Sequence, residues 1–248
     1  MNNFPIYEHL HRKKTETMTL NFDSEITNSE SLIKLGNTEI KNVLEFKYLG
    51  VMLSPENPTR LIEHRIASAT AKFHELKKVF TNNRISIKTR GRYLNAFVRS
   101  RLCYNIATWN NPEHFVNKLD VEWHQILRKS IKGGFRRREN GHYYYTNVDL
   151  RRIIGVMSIE RYAERQQLKW IAHCIRMEND TLQKLSLFMI PSKKYYRNVW
   201  TRIENKTGLT KSDFIRKAMD KSSFNSYIAN RYGSFDEWMF RRSVLISK

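Results

Sequence analysis

The segment from Val43 to Phe80 constrains this chain most, because a short β-type run, a turn and a long amphipathic stretch follow one another without interruption. In Phe46-Lys47-Tyr48-Leu49-Gly50-Val51-Met52-Leu53, the residues Phe46, Tyr48 and Leu53 carry the strand signal, and Gly50 is a point where backbone can bend or approach closely. Ser54-Pro55-Glu56-Asn57-Pro58 then ends the strand and starts a helix. Asn57 can accept from the first free amides, and Pro58 needs no donor there. From Pro58 to Phe80 the spacing predicts a helix with Leu61, Ile62, Ile66, Ala69, Phe73, Leu76 and Phe80 on one stripe. Arg60, Arg65, Lys72, Lys77 and Lys78 fall largely off that stripe, so one face packs and the other is basic.

The same imbalance runs through the whole chain. Lys and Arg number 44 against 24 Asp and Glu, a formal net charge of +20, and such a surplus repels itself in a compact state unless a polyanion lies against it. Nucleic acid is the leading candidate, with an acidic membrane surface second. The helix of the opening segment would be roughly 35 Å long, close to one duplex turn, so it could follow a nucleic-acid backbone. Hydrophobic residues make up 40% of the 248 and there are only 9 Gly and 5 Pro, which gives a globular chain with a sizeable core. Cys103 and Cys174 are too few for a disulfide framework or a four-cysteine zinc site. No apolar run approaches the roughly 20 residues of a membrane span, and Met1 to Leu20 lacks a signal-peptide pattern. The expectation is a soluble protein of the nucleus or cytoplasm, with no membrane partner.

Ahead of the opening segment, Thr15 to Phe22 alternates like a strand, and Gly36-Asn37 between Leu32–Leu35 and Glu39–Val43 signals a hairpin. Beyond it the pattern is helical. A second helix is predicted over about 86–109, with Leu94, Phe97, Val98, Leu102 and Ile106 inward and Lys88, Arg90, Arg92, Arg99 and Arg101 on or beside the other side. A third starts at Asn111-Pro112-Glu113 and stops at Gly133-Gly134. Short helices follow at 149–154, 195–207, 211–220 and 235–246. A strong one runs from Ser158 to Met177, with Ile159, Tyr162, Ala163, Gln167, Trp170, Ile171 and Cys174 inward. The fold class is therefore mainly α, with a small N-terminal β unit over 1–54, a helical bundle over 55–134 and a basic connector with a helical C-terminal region over 135–248.

The connector carries the densest signal. From Arg128 to Arg152 there are eight basic residues against two acidic ones, and Phe135, Tyr143, Tyr144 and Tyr145 lie among Arg136, Arg137 and Arg138. Cations for phosphates interleaved with rings for bases is the pattern of single-strand binders. The bland alternative is a solvated loop whose tyrosines tuck into the core.

Phe46-Lys47-Tyr48-Leu49-Gly50, followed by Arg65-Ile66 and the helix to Phe80, resembles the palm-to-thumb junction of reverse transcriptases from non-LTR (LINE-type) retrotransposons. Leu168-Lys169-Trp170-Ile171-Ala172-His173-Cys174-Ile175-Arg176-Met177 is similar to the segment those proteins place after the thumb. Lys14-Thr15-Glu16-Thr17-Met18 resembles the end of their palm, and Leu102-Cys103-Tyr104 with Trp109 their second thumb helix. The resemblance spans about residues 10–180. It implies a palm edge over 1–54 and a thumb over 55–134. Phe46, Lys47, Tyr48, Leu49 and Gly50 would form a primer-grip-like turn, and Lys14 would match a palm lysine near the leaving pyrophosphate. With Arg65, Lys72, Arg136, Arg137, Arg138 and Tyr144, these are the candidate nucleic-acid-binding residues, for RNA, DNA or hybrid duplex.

The departures from that pattern set the expected activity. Reverse transcription needs paired aspartates holding two divalent metals, and this sequence contains no Asp-Asp pair. No catalytic residue and no cofactor are therefore expected in this chain, the magnesium site of the family lying in a catalytic part upstream. The chain reads as a nucleic-acid-binding thumb and connection fragment. A subunit completed by a separate catalytic palm, a small metal-dependent nuclease, and a non-enzymatic or unselected fragment are the alternatives. Asp120, Glu122 and His124 do not change this, since on a helix Asp120 and His124 share a face while Glu122 points nearly opposite. Glu160 and Glu164 are expected to pair with Arg161, Arg165 or Lys169.

Overall fold

A computed structural model of the chain describes residues 15–18, 34–35, 38–54, 59–108, 113–188 and 199–233. Lys14, the turn Gly36-Asn37, Pro55 to Pro58, Trp109 and the expected helix over 235–246 lie outside the described residues. The fold is mainly helical with a small N-terminal strand unit, as the residue patterns lead one to expect. It divides into two compact units, Met1–Arg65 and Ile66–Lys248.

In the first unit, β1 (Glu16–Thr17) pairs in parallel with β4 (Lys41–Asn42), and β2 (Lys34–Leu35) pairs antiparallel with β3 (Thr38–Glu39). The run 46–53, whose residue types suggest one strand, is instead a hairpin of β5 (Phe46–Tyr48) and β6 (Val51–Leu53), with Tyr48 opposite Val51. The two-residue connection explains it. Leu49 and Gly50 both have positive φ, 46° and 79°, the combination that lets a tight turn match strand twist. Glycine adopts it freely, whereas a leucine there costs about 1–2 kcal/mol.

Helix α1 (Thr59–Glu75) follows, and the boundary between the units falls inside it. Its first part corrects the expectation that Arg65 lies on an open basic face. Arg65 is only 5% exposed, and its Nη2 donates to the Gly50 carbonyl at 2.6 Å. A guanidinium offers more donors than any other side chain, so one arginine on the helix can hold the turn that the hairpin needs. Arg60 Nε donates to the Glu45 carboxylate at 3.1 Å and adds a second tie to the same segment.

The second unit is helical. The helix expected to reach Phe80 breaks at Leu76, and α2 (Lys77–Phe80) continues after it with Phe80 stacked on Phe73 at 5.4 Å. Next come α3 (Ile87–Tyr93), capped by Ser86, a π-helical segment (Leu94–Arg99) and α4 (Ser100–Leu102). This stretch therefore stops short of the predicted 109, and Asn105 turns with φ 61°. Its inward set also differs: Arg90 and Arg99 are buried and Phe97 is exposed. The buried residues recur every four positions, as Arg90-Gly91, Leu94-Asn95, Val98-Arg99 and Leu102-Cys103. In a regular α-helix such a set drifts by about 40° per turn, and the wider π turn cancels the drift.

Helix α5 (Glu113–Lys129) packs on α6 (Asn147–Ile154) and α7 (Ile159–Ile175), and α6 also packs on α3. A reciprocal Thr146–Asp149 capping box starts α6, Gly155 in the left-handed region ends it, and Ser158 caps α7. Trp123 of α5 is fully buried, with its indole donating to the Met157 carbonyl at 3.3 Å. Beyond α7 come α8 (Leu182–Phe188), α9 (Val199–Thr207), α10 (Lys211–Met219) and α11 (Lys221–Tyr232). Leu168, Ile171 and Ile175 of α7 share a core with Trp200, Ile203, Phe214, Phe224 and Ile228. Helices α8 and α11 go beyond the sequence expectation. In α11, Ser222, Ser223, Asn225 and Ser226 mask by their low helix propensity the buried stripe Phe224, Ile228 and Tyr232.

A buried polar chain joins α5, α6 and α7. Asp120 Oδ1 accepts from Ile159 N at 2.9 Å, and Oδ2 lies 3.2 Å from His124 Nδ1. Arg151 Nη1 sits 2.7 Å from His124 Nε2. Arginine can only donate, so Nε2 is the acceptor and Nδ1 carries the proton, shared between the Asp120 backbone carbonyl at 2.7 Å and its carboxylate. Glu122 points elsewhere and accepts from Thr70 at 3.1 Å. Burial alone would raise the Asp120 pKa, but the hydrogen bonds from His124 and Ile159 N, with the Arg151 charge, outweigh it and hold it low. A carboxyl held low in the folded state stabilises above its unfolded pKa of about 4, and that contribution is lost as pH falls through the folded value. Asp120→Asn should therefore be less stable than wild type at neutral pH, with the gap closing between about pH 5 and pH 3. Denaturant midpoints for both chains across that range check this, and a gap that stays constant contradicts it.

Candidate nucleic-acid interface

The sequence-predicted residues fall into two groups, one in each unit. In the first, Phe46, Lys47, Tyr48, Leu49 and Gly50 lie on the β5–β6 hairpin. Tyr48 and Leu49 are largely exposed, Leu49 at 74%, so the turn is an apolar tip. Burial, then the charges of Arg65 and Lys47, hold the His64 pKa below its usual value, which keeps the ring neutral beside two cations. Arg65 supports this turn from beneath through its bond to Gly50 and does not present its charge to solvent. Lys72, already in the second unit, is engaged by Glu75 at 2.5 Å, and its side chain is only 16% exposed.

In the second unit, Arg136, Arg137, Arg138 and Tyr144 come together on a small hairpin. Arg137 and Tyr143 form an antiparallel bridge, Tyr144 N donates to the Arg136 carbonyl, and Arg138 N to the His142 carbonyl, both at 2.8 Å. Gly141, with φ 80°, makes the reversal. The hairpin is held by Arg128. Its Nη1 donates to the carbonyls of Gly134 (3.2 Å) and Tyr145 (2.9 Å), its Nη2 to Asn147 Oδ1 (2.7 Å), and its guanidinium lies 3.8 Å from the Tyr143 ring centre. Arg137 sits 4.3 Å from the same ring, and Arg136 and Arg138 lie 5.4 and 5.6 Å from the Tyr144 ring. Desolvated contacts of this kind contribute on the order of 1–2 kcal/mol each, and exposed ones less.

The exposed arginines of this hairpin are not neutralised by the bonds they make. They bond to the Gly141 carbonyl, the Tyr143 hydroxyl and the Tyr144 carbonyl rather than to a carboxylate. Phe135 and Tyr144 are 49% and 46% exposed; Phe135 lies with Arg137 beside the Tyr143 ring, while the Tyr144 face joins an exposed ring to Arg136 and Arg138. Such a face can pair phosphates and stack bases.

Sequence reasoning passed over a second exposed set on the α3, π-helical and α4 stretch. Tyr93 and Phe97 stand 6.2 Å apart between ring centres, with Tyr104, Arg92 and Arg101 also exposed. The four-residue period of that stretch is its only signal in the sequence. Glu164 was expected to pair with basic residues of its own helix. It instead accepts from the Tyr232 hydroxyl and lies 3.8 Å from Arg231 and 4.0 Å from Lys206. Cys103 is buried, and burial pushes its thiol up to about 12, so it is no nucleophile.

Among the described residues, no group of three or more His, Cys, Asp or Glu is placed to share a metal ion, and no helix is long and apolar enough to cross a membrane. No family model matches the chain, and neither a curated protein nor a solved structure shows significant similarity to it.

Proposed function

We propose that this chain is a nucleic-acid-binding module, equivalent to the thumb and connection of a non-LTR reverse transcriptase, which holds RNA, DNA or their hybrid without a bond-making centre of its own. The observation that carries this reading is the hairpin over 136–144. Three adjacent arginines and two exposed rings stand on a hairpin held by a buried arginine, Arg136 and Arg138 beside Tyr144 and Arg137 beside Tyr143, and among the described residues no carboxylate accepts a hydrogen bond from the three. The formal charge of +20 supports it, because a surplus on that scale favours association with a polyanion. The apolar β5–β6 tip supports the primer-grip comparison, since an exposed Tyr48 and Leu49 suit contact with a sugar or base edge. Such a protein would work in the nucleus or cytoplasm, where its polymer partner is found.

The test is a variant with Arg136, Arg137 and Arg138 all changed to Ala, compared with wild type by fluorescence anisotropy on a labelled primer–template. Losing three phosphate contacts should lower affinity roughly 100-fold at low salt and reduce the slope of log K against log salt by about 3. Far-ultraviolet circular dichroism should be unchanged, because the three side chains are exposed. An unchanged salt slope in a folded variant would remove the hairpin from the interface.

A further inference from the structure

The π-helical segment turns Arg99 inward, and what it meets there is unusual. Arg99 is 6% exposed, and its guanidinium lies 4.2 Å from the Tyr162 ring centre. Among the described residues, that guanidinium donates to no acceptor. Tyr162, Arg165 and Lys169 follow at spacings of three and four on α7 and so share one stripe of that helix. Arg165 lies one turn from both Tyr162 and Lys169 on that stripe, and its charge acts on Arg99 and on Lys169, so the three cations form a series with Arg165 in the middle. Arg165 Nε is buried with no partner. Glu164, next in sequence, is committed to Tyr232, Arg231 and Lys206. Arg99 is buried and Arg165 and Lys169 are half-buried, and like charges so placed repel one another unless an anion arrives from outside. π-Helical turns inside α-helices occur often at functional sites, and this one is what brings Arg99 to the cluster.

We propose that Arg99, Arg165 and Lys169 form a binding site for a single phosphoryl group, occupied in the nucleic-acid complex by a backbone phosphate. The site follows from the geometry alone, and only the identity of its occupant rests on the function proposed above. Two guanidiniums supply forked donors that match phosphate oxygens, and the ammonium supplies a third charge. The free protein is under mutual repulsion at this point, and the anion relieves it.

Lys169→Gln in the full chain tests this by the sign of its effect. In a chloride buffer without phosphate, the variant should melt about 1–3 °C above wild type, because one like charge has gone. Millimolar pyrophosphate should raise the melting temperature of wild type and of Lys169→Arg, but not of Lys169→Gln. On a labelled primer–template, Lys169→Gln should bind about tenfold more weakly, with a salt slope lower by about 1. A variant that melts below wild type or fails to fold, or a wild type indifferent to pyrophosphate, overturns the site. Loss of the pyrophosphate effect with oligonucleotide binding intact overturns the backbone-phosphate assignment. If wild type binds no oligonucleotide at all, the proposed function falls, and the pyrophosphate measurements alone decide the site.

Discussion

Affinity of this protein for a primer–template is expected to fall by about three to five orders of magnitude between 50 and 200 mM salt, as it does for about 6–10 phosphate contacts. The second unit holds cations enough for that footprint. Arg136, Arg137 and Arg138 stand on the connector hairpin, Arg92 and Arg101 are exposed on the α3 to α4 stretch, and Arg165 and Lys169 belong to the proposed phosphoryl site. Each neutralised phosphate releases condensed counterions, and the entropy of that release is what added salt removes. Stacking on Tyr144, Phe135, Tyr93 or Phe97 carries no such dependence, so the residual affinity at high salt measures the rings. Anisotropy titrations at several salt concentrations check both parts. A flat dependence would mean that the positive surplus does not contact phosphates, and the proposed function would fail with it.

The largest effect on stability is expected from adding one methyl group, in Gly91→Ala. On intrinsic grounds the change should help, because alanine is about 1 kcal/mol better than glycine inside a helix. Packing reverses the sign. A Cβ at Gly91 of α3 would lie 2.2 Å from the Ile154 carbonyl oxygen and 2.9 Å from Ile154 Cγ2 of α6. The first of these is backbone, so relief requires the two helices to separate and not merely a side chain to turn. A net loss of about 3 kcal/mol, or roughly 6–12 °C in melting temperature, is expected. Gly141→Ala is the control. Its Cβ meets nothing within 4 Å, and its φ of +80° leaves only the backbone cost of about 1–2 kcal/mol. Melting curves of the two variants side by side check the prediction. Equal shifts would show that α3 and α6 are not in close contact.

Much of the helical framework is legible in the chain itself. Ser158 stands where its side chain caps α7, and Gly155 and Gly208 where left-handed backbone ends helices, while the caps at Thr146 and Thr210 are seen only in the structure. These signals are local, and local chemistry decides them. The connector hairpin is legible only in part. Alternating cations and rings mark the place, but the strand reversal at Gly141 and the support from Arg128 involve partners that the residue pattern does not identify. Arg65, Arg90 and Arg99 mislead a reading by periodicity, because it assumes that a charge belongs outside.

The sequence by itself determined the charge surplus, the mainly helical character with starts such as Ser158, and the absence of an Asp-Asp pair, since each depends on residues close together in the chain or on a simple count. Only the tertiary structure decided which arginines face solvent and which do not. Arg90 is spoken for by the Phe80 and Ser130 carbonyls, Arg128 by Tyr145 and Asn147, and Arg176 by Ala218. For these three the physical reason is that carbonyl oxygens brought in by the fold satisfy the guanidinium, whereas Arg99 is turned inward by the π-helical segment without such an acceptor among the described residues.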